Sequence, residues 1–139
     1  MTVHQISVFI ENKPGTMVSI TDALGKAGVD IRALSLADTQ DFGILRLIVD
    51  NTEKAKEALT SIGCVISVTD VIAAAVPNTP GATTEMIHLL SENGINIEYI
   101  YSYISSVDKK AYIVLRIKDT AKAVSVLRNA GITLASELD

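Results

Sequence analysis

Asn12-Lys13-Pro14-Gly15 stands between an alternating apolar run and an amphipathic stretch, and the pattern returns as Asn78-Thr79-Pro80-Gly81. Proline fixes φ at about −65°, as the first turn of a helix requires. The glycine that follows has no side chain to block a molecule approaching the helix N-terminus. The asparagine two residues before the proline both donates and accepts hydrogen bonds. Each turn is therefore a candidate binding site for a small molecule that carries donors and acceptors together.

The two turns belong to a longer internal repeat. Residue pairs at an offset of 66 are Pro14 and Pro80, Gly15 and Gly81, Gly28 and Gly94, and Ile31 and Ile97. Pairs at an offset of 68 are Thr52 and Thr120, Ala55 and Ala123, and Gly63 and Gly131. A repeat of this length indicates two copies of one structural unit. The change of offset places two additional residues in the second copy, in a hairpin near residues 105–110.

Hydrophobic periodicity predicts the same order of elements in both copies. In the first copy, strands are expected at 3–10, 29–37, 42–49 and 64–68, and helices at 14–27 and 52–62. In the second copy, strands are expected at 71–76, 95–104, 111–117 and 132–135, and helices at 83–93 and 121–130. The order β-α-β-β-α-β predicts an α+β fold of two ferredoxin-like units in tandem, residues 1–68 and 69–139, with helices on one face of each antiparallel sheet.

Several details of this prediction concern buried side chains and connections. The second helix is expected to bury a stripe of Ala55, Leu59 and Ile62. A polar turn at 38–41 is expected to join two strands of the first copy, and only Thr69 and Asp70 separate the copies.

Composition and charge exclude several classes of partner. The net charge of −4 and the absence of a Lys/Arg run give no basic surface for a phosphate backbone, so no nucleic acid is expected. No apolar stretch reaches the roughly 18 residues that a bilayer requires, and the N-terminal residues do not resemble a signal peptide. The expected partners therefore exclude membranes, and the expected location is the cytoplasm.

Catalytic and metal chemistry find little support in the residue types present. The single Cys64 cannot form an internal disulfide, and with His4 and His88 it provides no metal-ligand spacing. No nucleophile with its base, paired acids, phosphate loop or dinucleotide motif can be assembled. We expect no enzyme activity, no cofactor and no metal.

The residues at the strand entries carry a family resemblance. Gly28-Val29-Asp30-Ile31 and Gly94-Ile95-Asn96-Ile97 each open a second strand after an Asn-x-Pro-Gly turn and a helix. Each copy thereby resembles an ACT domain, and the chain resembles a stand-alone tandem ACT protein. The resemblance implies a non-catalytic regulatory module that binds a small molecule, most often an amino acid. It further implies side-by-side pairing, here as a homodimer, and control of an enzyme of amino-acid metabolism.

The resemblance also implies where a ligand binds. The family's ligand lies between paired units, at the first strand-to-helix loop of one and the start of the second strand of the other. The corresponding positions here are Asn12, Pro14, Gly15, Asp30 and Ile31, and Asn78, Pro80, Gly81, Asn96 and Ile97. The serine-binding variety has histidine where this chain has Ile10 and Val76, which favours a more apolar ligand.

The chemistry of an amino acid fits these positions in outline. The N-terminus of a helix provides unpaired N–H groups and positive dipole charge for a carboxylate. Asp30, Asn96 or backbone carbonyls could accept the ammonium group. The alternative is that the turns are structural, Asp30 is a polar residue at a strand start, and the chain is an interaction subunit without a ligand. A small enzyme is a third class.

An alternating set of tyrosines lies close to the second predicted site. Tyr99, Tyr101 and Tyr103 share one face of a predicted strand. They either line a pocket or pack across strands, and the second interpretation is favoured. The ligand, the regulated enzyme and the number of binding copies stay open at this stage.

Overall fold

The computed structural model describes residues 1–39 and 41–138. Gln40 of the predicted polar turn and Asp139 of the predicted second unit therefore lie outside the described residues. The elements are β1 (Val3–Glu11), α1 (Thr16–Lys26), β2 (Ile31–Thr39), β3 (Phe42–Val49), α2 (Thr52–Ser61), β4 (Val65–Val76), α3 (Ala82–Glu92), β5 (Tyr99–Ile104), β6 (Ala111–Arg116) and α4 (Thr120–Asn129). The chain divides into a first unit, His4–Thr69, and a second unit, Asp70–Asp139 with Met1–Val3.

The first unit is a sheet with strand order β2-β3-β1-β4, in which β3 runs antiparallel to both β1 and β2. Alternate residues of β1 and β3 form one face of this sheet and pack against both helices. The buried members of this core are Ile6, Val8, Ile10, Ile20, Leu24, Val29, Leu45, Leu47, Val49, Ala55 and Leu59. Burial of this apolar surface is the main favourable term in folding, and it places α1 and α2 on one face.

The second unit repeats the arrangement, with β6 antiparallel to both β4 and β5. Its core joins one face of these strands to α3 and α4. The buried members are Ile72, Ala74, Val76, Met86, Leu90, Ile95, Ile113, Leu115, Ile117, Ala123, Leu127 and Leu134. The predicted α+β class, two ferredoxin-like units in tandem with helices on one face of antiparallel sheets, is therefore confirmed.

Strand register locates the two additional residues of the second unit. Leu47 lies opposite Leu34 in the first unit, and Leu115 lies opposite Ile100 in the second. The offset is 66 on the strand before the hairpin and 68 on the strand after it. The insertion therefore lies in the connection between β5 and β6, as the sequence repeat predicts.

Three of the predicted strands differ from the structure. The predicted strands 64–68 and 71–76 form one continuous strand, β4, which runs through Thr69 and Asp70. Neither residue is a glycine or proline that would interrupt a strand. The predicted strand at 132–135 is reduced to an isolated bridge between Leu134 and Ala74, since only a few hydrogen bonds tie it to β4.

The helix ends follow their sequence signals. The side chain of Asn51 caps α2 by accepting a hydrogen bond from the N–H of Lys54, at 3.1 Å. After α1, Gly28 adopts a positive φ of 72°, and the Val29 N–H donates to the Leu24 carbonyl at 3.0 Å. This is the Schellman arrangement, so Gly28 ends the helix. Among the described residues, no helix combines the length and apolar character needed to span a bilayer.

Candidate functional site

The Pro14-Gly15 turn has a different geometry from the one its sequence predicts. Helix α1 begins at Thr16, so Pro14 precedes the helix instead of filling its first turn. Gly15 is the N-cap residue, with φ of 93°. The turn of the second copy has the same geometry, since Gly81 has φ of 87° and α3 begins at Ala82. A side chain at either glycine would meet no atom within 4 Å. Left-handed backbone costs other residues about 1–2 kcal/mol, so conformation explains these glycines.

Helix α1 begins with unpaired backbone donors. Unlike α2, it has no side-chain cap, and its first turn contains no acidic residue. The N–H groups of Met17 and Val18 have no acceptor within residues 1–39 and 41–138. A helix N-terminus in this state attracts an anion, because the free N–H groups and the helix dipole act together.

A cavity of about 510 Å³, here named the turn cavity, lies in the first unit beside this helix start. Its walls are the end of β1, the Lys13–Thr16 turn with the first residues of α1, and residues 62–65 between α2 and β4. Pro14 and Gly15 therefore line a cavity, and their role in binding stays a prediction. Its volume lies within the range of small-molecule pockets, about 300–1,000 Å³.

Two residues of the turn cavity were not predicted as site residues. Ile62, predicted to be buried, is the C-cap residue of α2 and is 47% exposed, because the helix ends before the stripe can continue. Cys64 is half-buried and lines the same wall, and burial raises the pKa of its thiol. The signal was present in the predicted fold, since ferredoxin-like strand order places the start of β4 beside the end of β1.

Opposite charges meet at the wall of the turn cavity. The Lys13 ammonium lies 3.0 Å from a Glu11 carboxylate oxygen, and both side chains are more than 60% exposed. An exposed pair of this kind contributes little stability, about 0–1 kcal/mol. A ligand with one carboxylate and one ammonium group could therefore replace each partner of the pair at small cost.

Asn12 uses its side chain within the first unit. Its Nδ2 donates to a carboxylate oxygen of Asp38 at 2.8 Å, and its backbone N–H donates to the carbonyl of Asp41 at 2.9 Å. These bonds tie the turn to Asp38 of β2 and to Asp41, which precedes β3. The Oδ1 of Asn12 keeps its capacity to accept a hydrogen bond from a ligand.

Asp30, just before β2, also forms its contacts within the first unit. The Asp30 carboxylate lies 2.6 Å from the Arg32 guanidinium, and the Asp30 N–H donates to the Asp50 carboxylate at 2.9 Å. Ile31 packs against the first core, and Ile97 packs against the second. A ligand ammonium group at Asp30 would have to share the carboxylate with Arg32.

Within one unit, the two halves of the predicted site lie far apart. Gly15 lies before α1 and Asp30 lies after it. The 11 residues of α1 form a helix about 16 Å long, which separates the two positions. The strand register also places the two halves at opposite ends of the sheet. Glu11 at the end of β1 lies opposite Phe42, whereas Ile31 lies opposite Val49 at the other end of β3. A site that uses both halves therefore requires two units.

The second unit differs at both halves. Glu85 lies in the first turn of α3, where the repeat places Ser19 in α1. Asn78 and Pro80 are exposed, as is Asn96. Asn96 lines a separate cavity of about 270 Å³, here named the β5 cavity, together with Lys118 and Lys122. The acidic first turn of α3 makes this turn less suited to a carboxylate than its counterpart.

The tyrosines of β5 pack within the second unit. Tyr99, Tyr101 and Tyr103 are half-buried, and the rings of Tyr103 and Tyr112 lie 6.3 Å apart at 43°. This is an ordinary distance for an aromatic pair across neighbouring strands. No group of three metal-binding side chains occurs among the residues that the structure describes.

Solved structures share this fold. Protein BT0572 from Bacteroides thetaiotaomicron is 36% identical, with a TM-score of 0.90 over 97% of this chain and 92% of that chain. The aspartate kinase regulatory subunit from Thermus thermophilus is 18% identical, with a TM-score of 0.64 over 91% of both chains. Its counterpart from Thermus flavus is 19% identical, with a TM-score of 0.65 over 94% of both. The two Thermus subunits show likeness of fold alone.

The family assignment rests on the match to a family model. No curated protein matches the chain. A family model described as an ACT domain pair matches residues 1–138, which is nearly the whole chain. The resemblance inferred from the strand-entry motifs is confirmed. The chain belongs to the ACT domain family, as a pair of ACT domains.

Proposed function

We propose that this chain is a non-catalytic regulatory protein of the cytoplasm that binds an amino acid and modulates a separate enzyme of amino-acid metabolism. The carrying observation is the turn cavity, which combines the uncapped start of α1 with the Glu11–Lys13 pair. The free N–H groups and Lys13 are suited to a ligand carboxylate, and Glu11 is suited to an ammonium group.

The walls of the turn cavity also favour a ligand with an apolar side chain. Ile10 and Ile20 belong to the first core, and Phe9, Ile62 and Val65 are exposed apolar residues of the cavity lining. Burying apolar area contributes about 25 cal/mol per Å². We therefore infer an aliphatic or aromatic amino acid in preference to serine.

The two turns are proposed to differ in affinity. Helix α1 has Ser19 in its first turn and α3 has Glu85 at the equivalent position. Glu85 interacts favourably with the α3 dipole and would repel a ligand carboxylate at the same place. The first unit is therefore the proposed binding copy.

Pairing of units would complete the site and transmit the signal. In the proposal, Asp30 and Ile31, or Asn96 and Ile97, meet the turn of a neighbouring unit. A homodimer is supported by β2, which lies at the edge of its sheet and exposes Leu34 and Leu36 at 53% and 44%. A ligand bound between units favours the paired state, and the enzyme partner responds to that shift. Two structures of similar fold are described as regulatory subunits of aspartate kinase, which supports a regulatory role.

A thermal-shift screen tests the proposal. The purified protein is heated with each of the twenty amino acids and with common 2-keto acids. A ligand at about 100 times its Kd stabilises the folded state by roughly 2.7 kcal/mol, which raises Tm by several degrees. We expect one or a few apolar amino acids to do so. If no compound raises Tm, the chain is better explained as an interaction subunit without a ligand.

Matched variants identify the binding copy. Ser19→Glu places in α1 the acid that α3 already has, and glutamate is well tolerated in the first turn of a helix. We expect this variant to fold and to lose the ligand-dependent rise in Tm. Glu85→Ser is the control and should keep the rise. Loss in the control with retention in Ser19→Glu would assign binding to the second unit.

A further inference from the structure

The two units exchange charged and apolar side chains at the ends of their hairpins. Asp38 near the end of β2 corresponds to Ile104 at the end of β5, at the offset of 66. Phe42 at the start of β3 corresponds to Lys110 just before β6, at the offset of 68. All four side chains are exposed. Because both units have the same fold, the fold itself requires neither set of side chains at these positions.

An apolar surface, here named the first hairpin end, is formed by Phe9 and Phe42 in the first unit. These are the two phenylalanines of the chain, and both are more than half exposed. Phe9 lies opposite Ile44, and Phe42 lies two residues before Ile44 on β3. Since side chains alternate along a strand, both rings lie on the face of the sheet away from the helices. An exposed apolar group of this kind indicates a contact surface.

A second apolar surface, here named the second hairpin end, is formed by Ile104 and Val107 in the second unit. In the described part of the chain they are the most exposed large apolar residues, at 70% and 74%. Val107 lies in the connection between β5 and β6, which contains the two additional residues of the second unit. The first unit therefore has no equivalent of this surface.

The two hairpin ends differ in the sign of their charge. The charged residues at or near the first hairpin end are Glu11, Lys13, Asp38, Asp41 and Arg46. Those at the second hairpin end are Asp108, Lys109 and Lys110. Acids outnumber bases at the first end, and bases outnumber acids at the second. Two ends of the same kind would bring like charges together, whereas a first end and a second end bring opposite charges together.

We propose that the first hairpin end of one chain binds the second hairpin end of another copy of the same chain. In this contact Phe42 packs against Ile104 and Val107, and Asp41 lies beside Lys110. Two hairpin ends bury less than the roughly 1,200 Å² of a stable interface. The contact is therefore reversible, forms at high protein concentration and joins dimers into larger assemblies. It is separate from pairing at β2 and does not depend on the proposed amino-acid function.

An NMR titration between two variants of the full chain tests the contact. The isotope-labelled chain carries Ile104→Asp, so only its first hairpin end is intact, and the unlabelled chain carries Phe42→Ser, so only its second hairpin end is intact. We expect the amides of Asp41 and Phe42 in the labelled chain to shift as the unlabelled chain is added. The control is an unlabelled chain with both substitutions, which keeps β2 pairing and should cause no such shift. No shift with the first chain, or equal shifts with both, would overturn the proposal.

Charge reversal tests the electrostatic part of the contact. Adding Lys110→Glu to the unlabelled chain should remove the shift at Phe42, because like charges then face each other. Adding Asp41→Lys to the labelled chain should restore that shift. A shift that persists with Lys110→Glu, or that Asp41→Lys does not restore, would contradict the assigned contact. The amino-acid screen measures Tm and does not use this contact, so failure of one proposal is distinguishable from failure of the other.

Discussion

Asp108 stabilises the connection between β5 and β6 through its carboxylate. It accepts hydrogen bonds from the Lys110 N–H at 2.9 Å and from the Tyr112 hydroxyl at 2.8 Å. The Lys110 bond, followed by the Tyr112 bond, holds the pKa of Asp108 below the ordinary value of 3.8. Because the folded-state pKa is lowered, the stabilisation is complete above pH 3.8 and disappears as the pH falls through the folded-state pKa.

The connection between β5 and β6 should therefore lose the stabilisation from Asp108 only in acid. The ring resonances of Tyr112, followed by NMR through the acid range, should move in one transition with a midpoint below 3.8. The control is Asp108→Asn, which removes the titrating carboxylate and should abolish that transition. A midpoint above 3.8 in the wild type would contradict the hydrogen bonds described.

Two asparagines at helix entries are expected to contribute differently to stability. Asn51 caps α2, and replacing such a residue by alanine costs about 1 kcal/mol. Asn78 is exposed and is not the cap of α3, whose N-cap is Gly81. In urea unfolding, Asn51→Ala should lower the free energy of unfolding by about 1 kcal/mol, and Asn78→Ala by less than about 0.5 kcal/mol. Equal losses would show that the cap bond contributes nothing.

At the scale of the element, burial changes within one turn at the end of α2, from a core residue to a residue of the cavity wall. Leu59 is fully buried in the first core, whereas Ile62 is 47% exposed at the end of the helix. Leu59→Ala should lower the free energy of unfolding by about 2–5 kcal/mol. Ile62→Ala should change it by less than about 0.5 kcal/mol. A loss at Ile62 as large as that at Leu59 would mean that the predicted buried stripe does extend to the helix end.

Local patterns were enough to predict most elements. The buried stripe of Ile20 and Leu24 follows from helical spacing, and the glycine stop at Gly28 follows from backbone conformation. The continuity of β4 was missed because two polar residues read as a junction, although strands tolerate them when their backbone is paired. The predicted strand at 132–135 is too long, since the structure has a single bridge at Leu134. Apolar character alone does not show whether a neighbouring strand is available for pairing.

The site was less predictable than the fold. Pro14 and Gly15 were identified from their motif, and they line the turn cavity. Its other wall, residues 62–65, is distant in sequence and becomes adjacent only when β4 lies beside β1.

At the scale of the whole molecule, the proposal requires association between chains. Leu34 on the edge strand β2 is 53% exposed, and Leu34→Lys would bring a charge into any contact made there. We expect this variant to shift the protein from dimer to monomer in sedimentation-velocity experiments. Val18→Lys is the matched control, because Val18 on α1 is 60% exposed and lies outside the sheet edge.

The outcome of that pair distinguishes two explanations. A dimer that persists in Leu34→Lys and dissociates in Val18→Lys would move the interface from β2 to α1. A wild-type chain that sediments as a monomer would leave the proposed site between units without a partner from a second chain.

The most direct measurement uses the single cysteine, Cys64, which lines the turn cavity. The rate of Cys64 modification by a thiol reagent is measured with and without the amino acid that raises Tm most. A ligand in the cavity should slow the reaction in the wild type and in Glu85→Ser, and should leave it unchanged in Ser19→Glu. If a saturating ligand stabilises the protein without slowing the reaction at Cys64, the binding site lies elsewhere and the central claim is wrong.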